Sequence, residues 1–129
     1  MTEQSTVLIV DDEADVREVL AFWLRREGFR VLVAEESAEG IAVAQSEGPD
    51  IILLDVMMPG ISGWEVLERL KDDDRTRRIP VVMCTILVEP RFLARATELG
   101  AAGYIGKPFK PEAVVKTIRG TLEAAGDPG

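Results

Sequence analysis

The sequence predicts an α/β fold: a single doubly wound parallel sheet of five strands, with five helices connecting and covering them. Three observations predict it. Short apolar runs recur along the chain, and each gives way within a few residues to a stretch with apolar positions at helical spacing. The third run, Ile51 to Leu54, is apolar without alternation and is bounded by Gly48-Pro49-Asp50 and Pro59-Gly60, as suits a strand buried on both faces. The connections are a few residues long, which favours strand, crossover helix and parallel strand in succession.

Thr6 to Val10 is a β-rich run that ends abruptly in Asp11-Asp12-Glu13. From Asp12 the apolar residues Val16, Val19, Leu20, Trp23 and Leu24 take helical spacing, and Gly28 supplies a stop. The ordinary account of the acidic pair is helix capping, with carboxylates at the positive end of the helix dipole. Arg30 to Ala34 is a second strand, and Ser37 is placed to cap a helix whose stripe, Ile41, Ala42, Ala44 and Gln45, is weak. Beyond the third strand, Ser62-Gly63-Trp64-Glu65 matches a capping box and opens a helix to about Lys71 with Val66, Leu67 and Leu70 on its apolar face.

Lys71 to Arg78 carries both signs of charge and reads as a solvated loop. Ile79 to Thr85 is a fourth strand, with Pro80 acceptable only near its start. Pro90 suits a first helical position, and Phe92, Leu93, Ala96 and Leu99 recur until Gly100. Ala101 to Ile105 is a fifth short strand, and Pro111 opens a last helix carrying Val114, Val115, Ile118 and Leu122. The expected organisation is an N-terminal extension at 1–5, one domain at 6–122 and a frayed tail at 123–129.

Composition narrows the function. A chain of 129 residues is about one domain with a real core. No apolar run reaches the roughly 18 residues of a membrane span, and the start lacks the basic-then-apolar order of a signal peptide, so a cytoplasmic location is expected. Cys84, the single cysteine, lies in an apolar run and is expected to be a buried core thiol. Without histidine the chain cannot build a His-based metal site, a His-dependent triad or its own phosphohistidine. The net charge of −8 argues against direct nucleic-acid binding.

In an open α/β sheet, ligands bind beyond the carboxyl ends of the strands. The polar residues at those ends are Asp11 and Asp12, Asp55, Thr85 and, just past the fifth strand, Lys107. Taken singly, each has a plain structural explanation: helix capping for the acidic pair, a loop start for Asp55, a β-branched strand end for Thr85, a solvated loop for Lys107. Together on one edge, three carboxylates would repel unless a cation or Lys107 sat among them. Hard oxygen ligands without histidine suit Mg²⁺. Asp55 could then attack phosphorus to form an acyl phosphate, with Mg²⁺ and Lys107 neutralising the phosphoryl oxygens and Thr85 donating a hydrogen bond.

Four segments in order, VDDE (Val10 to Glu13), LLDVMMPGISG (Leu53 to Gly63), Thr85, and GYIGKPF (Gly103 to Phe109), resemble the response-regulator receiver domain of bacterial two-component signalling. The similarity runs from about Thr6 to Leu122. The resemblance implies a flavodoxin-like fold with strand order 2-1-3-4-5. It implies Asp55 as phosphoacceptor, with Mg²⁺ held by Asp12, Asp55 and the Met57 backbone carbonyl, Asp11 assisting directly or through water. It also implies that Lys107 pairs with the phosphoryl group, that the Lys107-Pro108 bond is cis, and that Thr85 and Tyr104 form a switch pair.

The implied partners are a sensor histidine kinase or a histidine phosphotransfer protein as donor. A downstream protein or output domain would be engaged through the fourth helix, fifth strand and fifth helix, where Arg91, Arg95 and Lys116 lie. Two departures qualify the resemblance. Ile86 is bulky where many relatives place a small residue and could crowd the phosphoryl site, while Met57 and Leu87, at positions that influence attack by water, are both apolar. Two other readings stay open: a phosphorylation-independent interaction module with this fold, motivated by Ile86, and a small phosphohydrolase working through an aspartyl phosphate. The latter lacks a second acid near Asp55, where Val56 and Met57 follow.

Overall fold

The structure, a computed structural model, describes residues 4–126. Its strands are β1 (Thr6–Val10), β2 (Arg30–Ala34), β3 (Ile51–Leu54), β4 (Val81–Thr85) and β5 (Gly103–Gly106). Its helices are α1 (Ala14–Arg26), α2 (Ser37–Glu47), α3 (Gly63–Asp72), α4 (Pro90–Glu98) and α5 (Pro111–Ala124). All strands are parallel, in the order β2-β1-β3-β4-β5, so the expected fold and strand order are both found. Chain connectivity reverses direction beside β1 and β3, which places the sheet's ligand-binding crevice at the ends of those two strands.

Alternating strand residues feed two cores. Val7, Ile9, Ile51, Leu53, Val82 and Cys84 pack with Leu20 and Leu24 of α1 and Ile118 and Leu122 of α5. Leu8, Val10, Ile52, Leu54, Val81 and Met83 pack on the other face with Ala44 of α2, Val66, Leu67 and Leu70 of α3 and Ala96 of α4. Because the central strands are buried on both faces, each large side chain there contributes roughly 1.5–3 kcal/mol of burial, and β1 and β3 are held rigidly just where their acidic ends begin.

Several local expectations change. No side-chain capping bond forms at α1, whose N-cap is Glu13; instead Asp11 Oδ1 accepts from the Glu13 N–H at 2.9 Å. Ser37 is the first residue of α2 rather than its cap, because its buried hydroxyl donates to the Ile61 carbonyl at 2.6 Å and ties α2 to the loop after β3. Only half of the capping box forms: Ser62 Oγ accepts from Glu65 N–H at 3.4 Å, while the Glu65 carboxylate pairs with Arg69. β4 begins at Val81 since Pro80 contributes a carbonyl, to Ile52 N–H at 3.0 Å, but has no N–H of its own. β5 begins at Gly103 because Ala101 N–H still closes the end of α4 on the Ala96 carbonyl at 2.9 Å.

The 71–78 charge run is not wholly solvated. Lys71 and Asp72 belong to α3, Lys71 Nζ donates to the Arg77 and Ile79 carbonyls, and the Thr76 hydroxyl is buried on the Leu70 carbonyl at 2.6 Å. Val19, expected on the buried face of α1, is exposed, and Ala21 is buried in its place. The last helix reaches Ala124, two residues past the expected boundary at Leu122; residues 1–3 of the expected extension and 127–129 of the expected tail lie outside the described residues. Among the described residues, no helix is long and apolar enough to cross a membrane.

Candidate functional site

Strand register brings the acidic residues together. Val10 lies level with Leu54 in the β1/β3 pair, so the chain leaves both strands at the same height and Asp11 and Asp55 follow side by side. Their backbones continue the sheet: Asp11 N–H donates to the Ala34 carbonyl and Asp55 N–H to the Val10 carbonyl, both at 3.1 Å. Asp11 and Asp55 are buried, at 2% and 4% exposure, while Asp12 is exposed. Asp11, Asp12 and Asp55 each present an oxygen within 4.8 Å of the others.

Lys107 is delivered from the opposite side. β4 runs out to Thr85, whose carbonyl accepts from Lys107 N–H at 2.9 Å, and the Lys107-Pro108 bond is cis as the resemblance implies. The ammonium donates to Asp11 Oδ2 at 2.8 Å, Glu13 Oε1 at 2.9 Å and Asp55 Oδ2 at 3.0 Å, which uses all three of its N–H groups. Burial pulls the Lys107 pKa down, but hydrogen bonds to the three carboxylates outweigh it and hold the pKa well above its usual value. Asp11 is pushed up by burial, against the opposing pull of Lys107 and the Glu13 N–H. The carboxylates therefore depend on Lys107 for their charge compensation.

The remaining predicted residues surround this cluster. Met57 N–H donates to Asp55 Oδ1 at 3.1 Å, and the Met57 side chain is exposed. Thr85 is fully buried, and its hydroxyl accepts weakly from Leu87 N–H at 3.4 Å. The Tyr104 hydroxyl donates to the carbonyl of the same Leu87. Thr85 and Tyr104 are thus linked through one residue of the loop after β4. Burial raises the Tyr104 pKa, and the Asp55 charge adds to the effect. Ile86 is 59% exposed and lies along a groove with Lys107, Pro108 and Phe109.

Three features here carried no role in the sequence reading. Glu13 joins the Lys107 cluster. Arg17 donates to the Asp11 carbonyl at 2.8 Å and to Glu35 at 3.1 Å, bracing the turn that carries Asp11. Gly63 is required by space: a Cβ there would lie 2.2 Å from the Asp55 carbonyl oxygen. Its position one residue after a capping serine is the signal that could have shown α3 starting against the Asp55 backbone.

Known proteins are similar to this chain over most of its length. The phosphate regulon transcriptional regulatory protein PhoB of Pseudomonas aeruginosa is 44% identical over 121 residues, covering 94% of this chain and 53% of that protein. Protein PilH of the same organism is 35% identical over 116 residues, covering 90% of this chain and 96% of that protein. The structure of chemotaxis response regulator CheY4 of Vibrio cholerae matches with a TM-score of 0.88 and 31% identity, covering 93% of this chain and 100% of that one. The chain spans about half the length of the phosphate-regulon relatives it matches. The model for the response regulator receiver domain matches residues 7–119, and the chain belongs to that family, the receiver domains of two-component signalling.

Proposed function

We propose that the domain is a phosphorylation-controlled switch in which Asp55 accepts a phosphoryl group from a sensor histidine kinase or a histidine phosphotransfer protein. The observation that carries this reading is Lys107 bridging Asp11 and Asp55 at 2.8 and 3.0 Å in a buried pocket. A buried carboxylate paired with a cation is a nucleophile already desolvated and aligned. One Asp55 oxygen forms the bond to phosphorus as the bond from phosphorus to the donor histidine nitrogen breaks, the electron pair leaving with the nitrogen. Lys107 turns an N–H toward the phosphoryl oxygens, and Thr85 supplies a hydroxyl donor.

The three convergent carboxylates fit Mg²⁺, since they offer hard oxygen donors in a small volume and an excess of negative charge that Lys107 alone does not cancel. Asp12, Asp55 and the Met57 backbone carbonyl would hold the ion, with Asp11 directly or through water. When bound, it supplies positive charge to the phosphoryl oxygens.

Thr85 and Tyr104 serve as the switch pair. Both meet Leu87, so a turn of the Thr85 hydroxyl toward a phosphoryl group withdraws the acceptor of the Leu87 N–H and frees the loop that Tyr104 also holds. The loop leads into α4, where Ala96 is the only buried residue and Arg91 and Arg95 are exposed. That weakly anchored helix, with β5 and α5 bearing Lys116, is the surface offered to a downstream protein or output domain. Met57 and Leu87 place no polar side-chain atom where one could orient a hydrolytic water, which favours a long-lived phosphoryl group. The deciding experiment is incubation with Mg²⁺ and a small acyl phosphate followed by intact mass: one phosphoryl adduct is expected, lost in Asp55→Ala. An adduct that survives Asp55→Ala overturns the assignment.

A further inference from the structure

We infer that Glu13 selects among phosphodonors by charge, its carboxylate standing beside Lys107 on the open side of the pocket and disfavouring free dianionic donors. This rests on the reading of Asp55 as phosphoacceptor. Glu13 occupies the N-cap of α1, yet its side chain makes no bond to the free N–H groups of the helix. It turns instead to Lys107, with Oε1 at 2.9 Å from the ammonium.

The three partners of Lys107 are unequal. Asp11 and Asp55 are buried, so releasing either leaves a buried charge unpaired, whereas the Glu13 side chain is 59% exposed and can turn to water at little cost. Glu13 and Lys107 lie together on a groove of about 480 Å³ whose walls are mainly Val16, Val19, Ile86 and Phe109, with one further carboxylate, Asp15, on its lining. A phosphoryl group that takes an N–H of Lys107 from this side displaces Glu13 and comes to rest beside its charge. The repulsion scales with the donor's net charge. At about 5 Å, in water-like dielectric with physiological screening, it amounts to roughly twofold in rate per unit of donor charge.

Two small donors separate this effect from a general one. Acetyl phosphate is a dianion at neutral pH, and phosphoramidate, with its protonated nitrogen, carries a single net negative charge. In both cases an Asp55 oxygen bonds to phosphorus. With acetyl phosphate the P–O bond breaks and its electron pair leaves with acetate; with phosphoramidate the P–N bond breaks and ammonia leaves with the hydrogens it already carries.

The parent chain, Glu13→Gln and Glu18→Gln are labelled at saturating Mg²⁺ with each donor, and adduct formation is followed by intact mass. Glu18 is exposed on the same helix and controls for net charge. Glu13→Gln is expected to label about fourfold faster with acetyl phosphate and about twofold faster with phosphoramidate, while Glu18→Gln matches the parent. Equal changes with the two donors, no change, or the same change in Glu18→Gln overturns the inference and leaves the phosphoacceptor reading standing. Absence of an adduct on the parent with both donors overturns both.

Discussion

Replacing Lys107 by methionine keeps the length of the side chain and removes the one cation among the buried carboxylates. In the parent, Asp11 and Asp55 share the ammonium at 2.8 and 3.0 Å, and the three side chains are 3%, 5% and 8% exposed respectively. Removing one partner of a buried ion pair costs about 3–5 kcal/mol. Protonation limits that cost: a carboxyl with an ordinary pKa near 4 can be held neutral at pH 7 for about 4 kcal/mol, at about 1.4 kcal/mol per pH unit. The Lys107→Met variant is therefore expected to be less stable by about 3–4 kcal/mol at pH 7. Burial already raises the Asp11 pKa with Lys107 present, and without it the carboxyl rises further. A group whose folded pKa lies above its unfolded value favours the fold below the unfolded pKa and loses that contribution as pH rises through the folded one. The deficit should accordingly shrink by about 1–1.4 kcal/mol per unit as pH falls from 7 toward 5. Urea denaturation followed by tryptophan fluorescence at several pH values measures this directly. Mg²⁺ is expected to recover part of the loss at pH 7, since the proposed site for it is assembled only in the folded chain. A midpoint equal to the parent's at pH 7, or a deficit that is constant between pH 7 and 5, would refute the dependence of the carboxylates on Lys107.

Other outcomes are as direct. After removal of the phosphodonor, Met57→Asn and Leu87→Glu are expected to lose the phosphoryl group faster than the parent, read as decay of the adduct mass; equal lifetimes would remove the proposed role of those apolar side chains. Gly63→Ala forces a methyl group to within 2.2 Å of the Asp55 carbonyl oxygen unless the loop shifts, so a loss of about 2–3 kcal/mol is expected in denaturant melts, and a neutral result would show that the loop yields freely. Burial pushes the Cys84 thiol up to about 12. At pH 8 the folded protein should therefore react with a thiol-specific disulfide reagent at least a hundredfold more slowly than the urea-unfolded chain; rapid labelling of the native protein would contradict its burial.

Much of the fold was legible because its signals are local. β1 and β3 match the apolar runs residue for residue, since a central parallel strand buries every position and admits no polar interruption, and the edge strand β2 also keeps its expected bounds although Arg30 and Val33 are exposed. Boundaries failed where a tertiary bond outweighed a local preference. Ser37 looked like a cap and was drawn instead to the Ile61 carbonyl, and Lys71 and Thr76 looked solvated but fold their polar ends onto the carbonyls of Ile79 and Leu70. The weak stripe of α2 has a comparable origin: Gly40 lets the helix sit on Val10, where a Cβ would come within 2.7 Å of the valine side chain, so close backbone approach replaces large apolar residues.

The site was legible in its parts and not in its balance. Strand-end logic located Asp11, Asp12, Asp55, Thr85 and Lys107, because in a parallel sheet the end of each strand fixes where its last residue lies. It could not show how one ammonium divides among several acids, which depends on side-chain reach rather than on strand position. Glu13 follows a strand by three residues, at the start of a helix, and nothing in its spacing separates a cap from a ligand of Lys107. The distinction is energetic. Asp11 Oδ1 already satisfies the Glu13 N–H, which holds the turn without any help from the Glu13 carboxylate. That carboxylate is then free to reach the strongest field nearby, the Lys107 ammonium. Two buried acids fix the position of the ammonium, and the exposed third can leave it at small cost. An incoming anion therefore meets a cation that is already placed, with one bond ready to be exchanged.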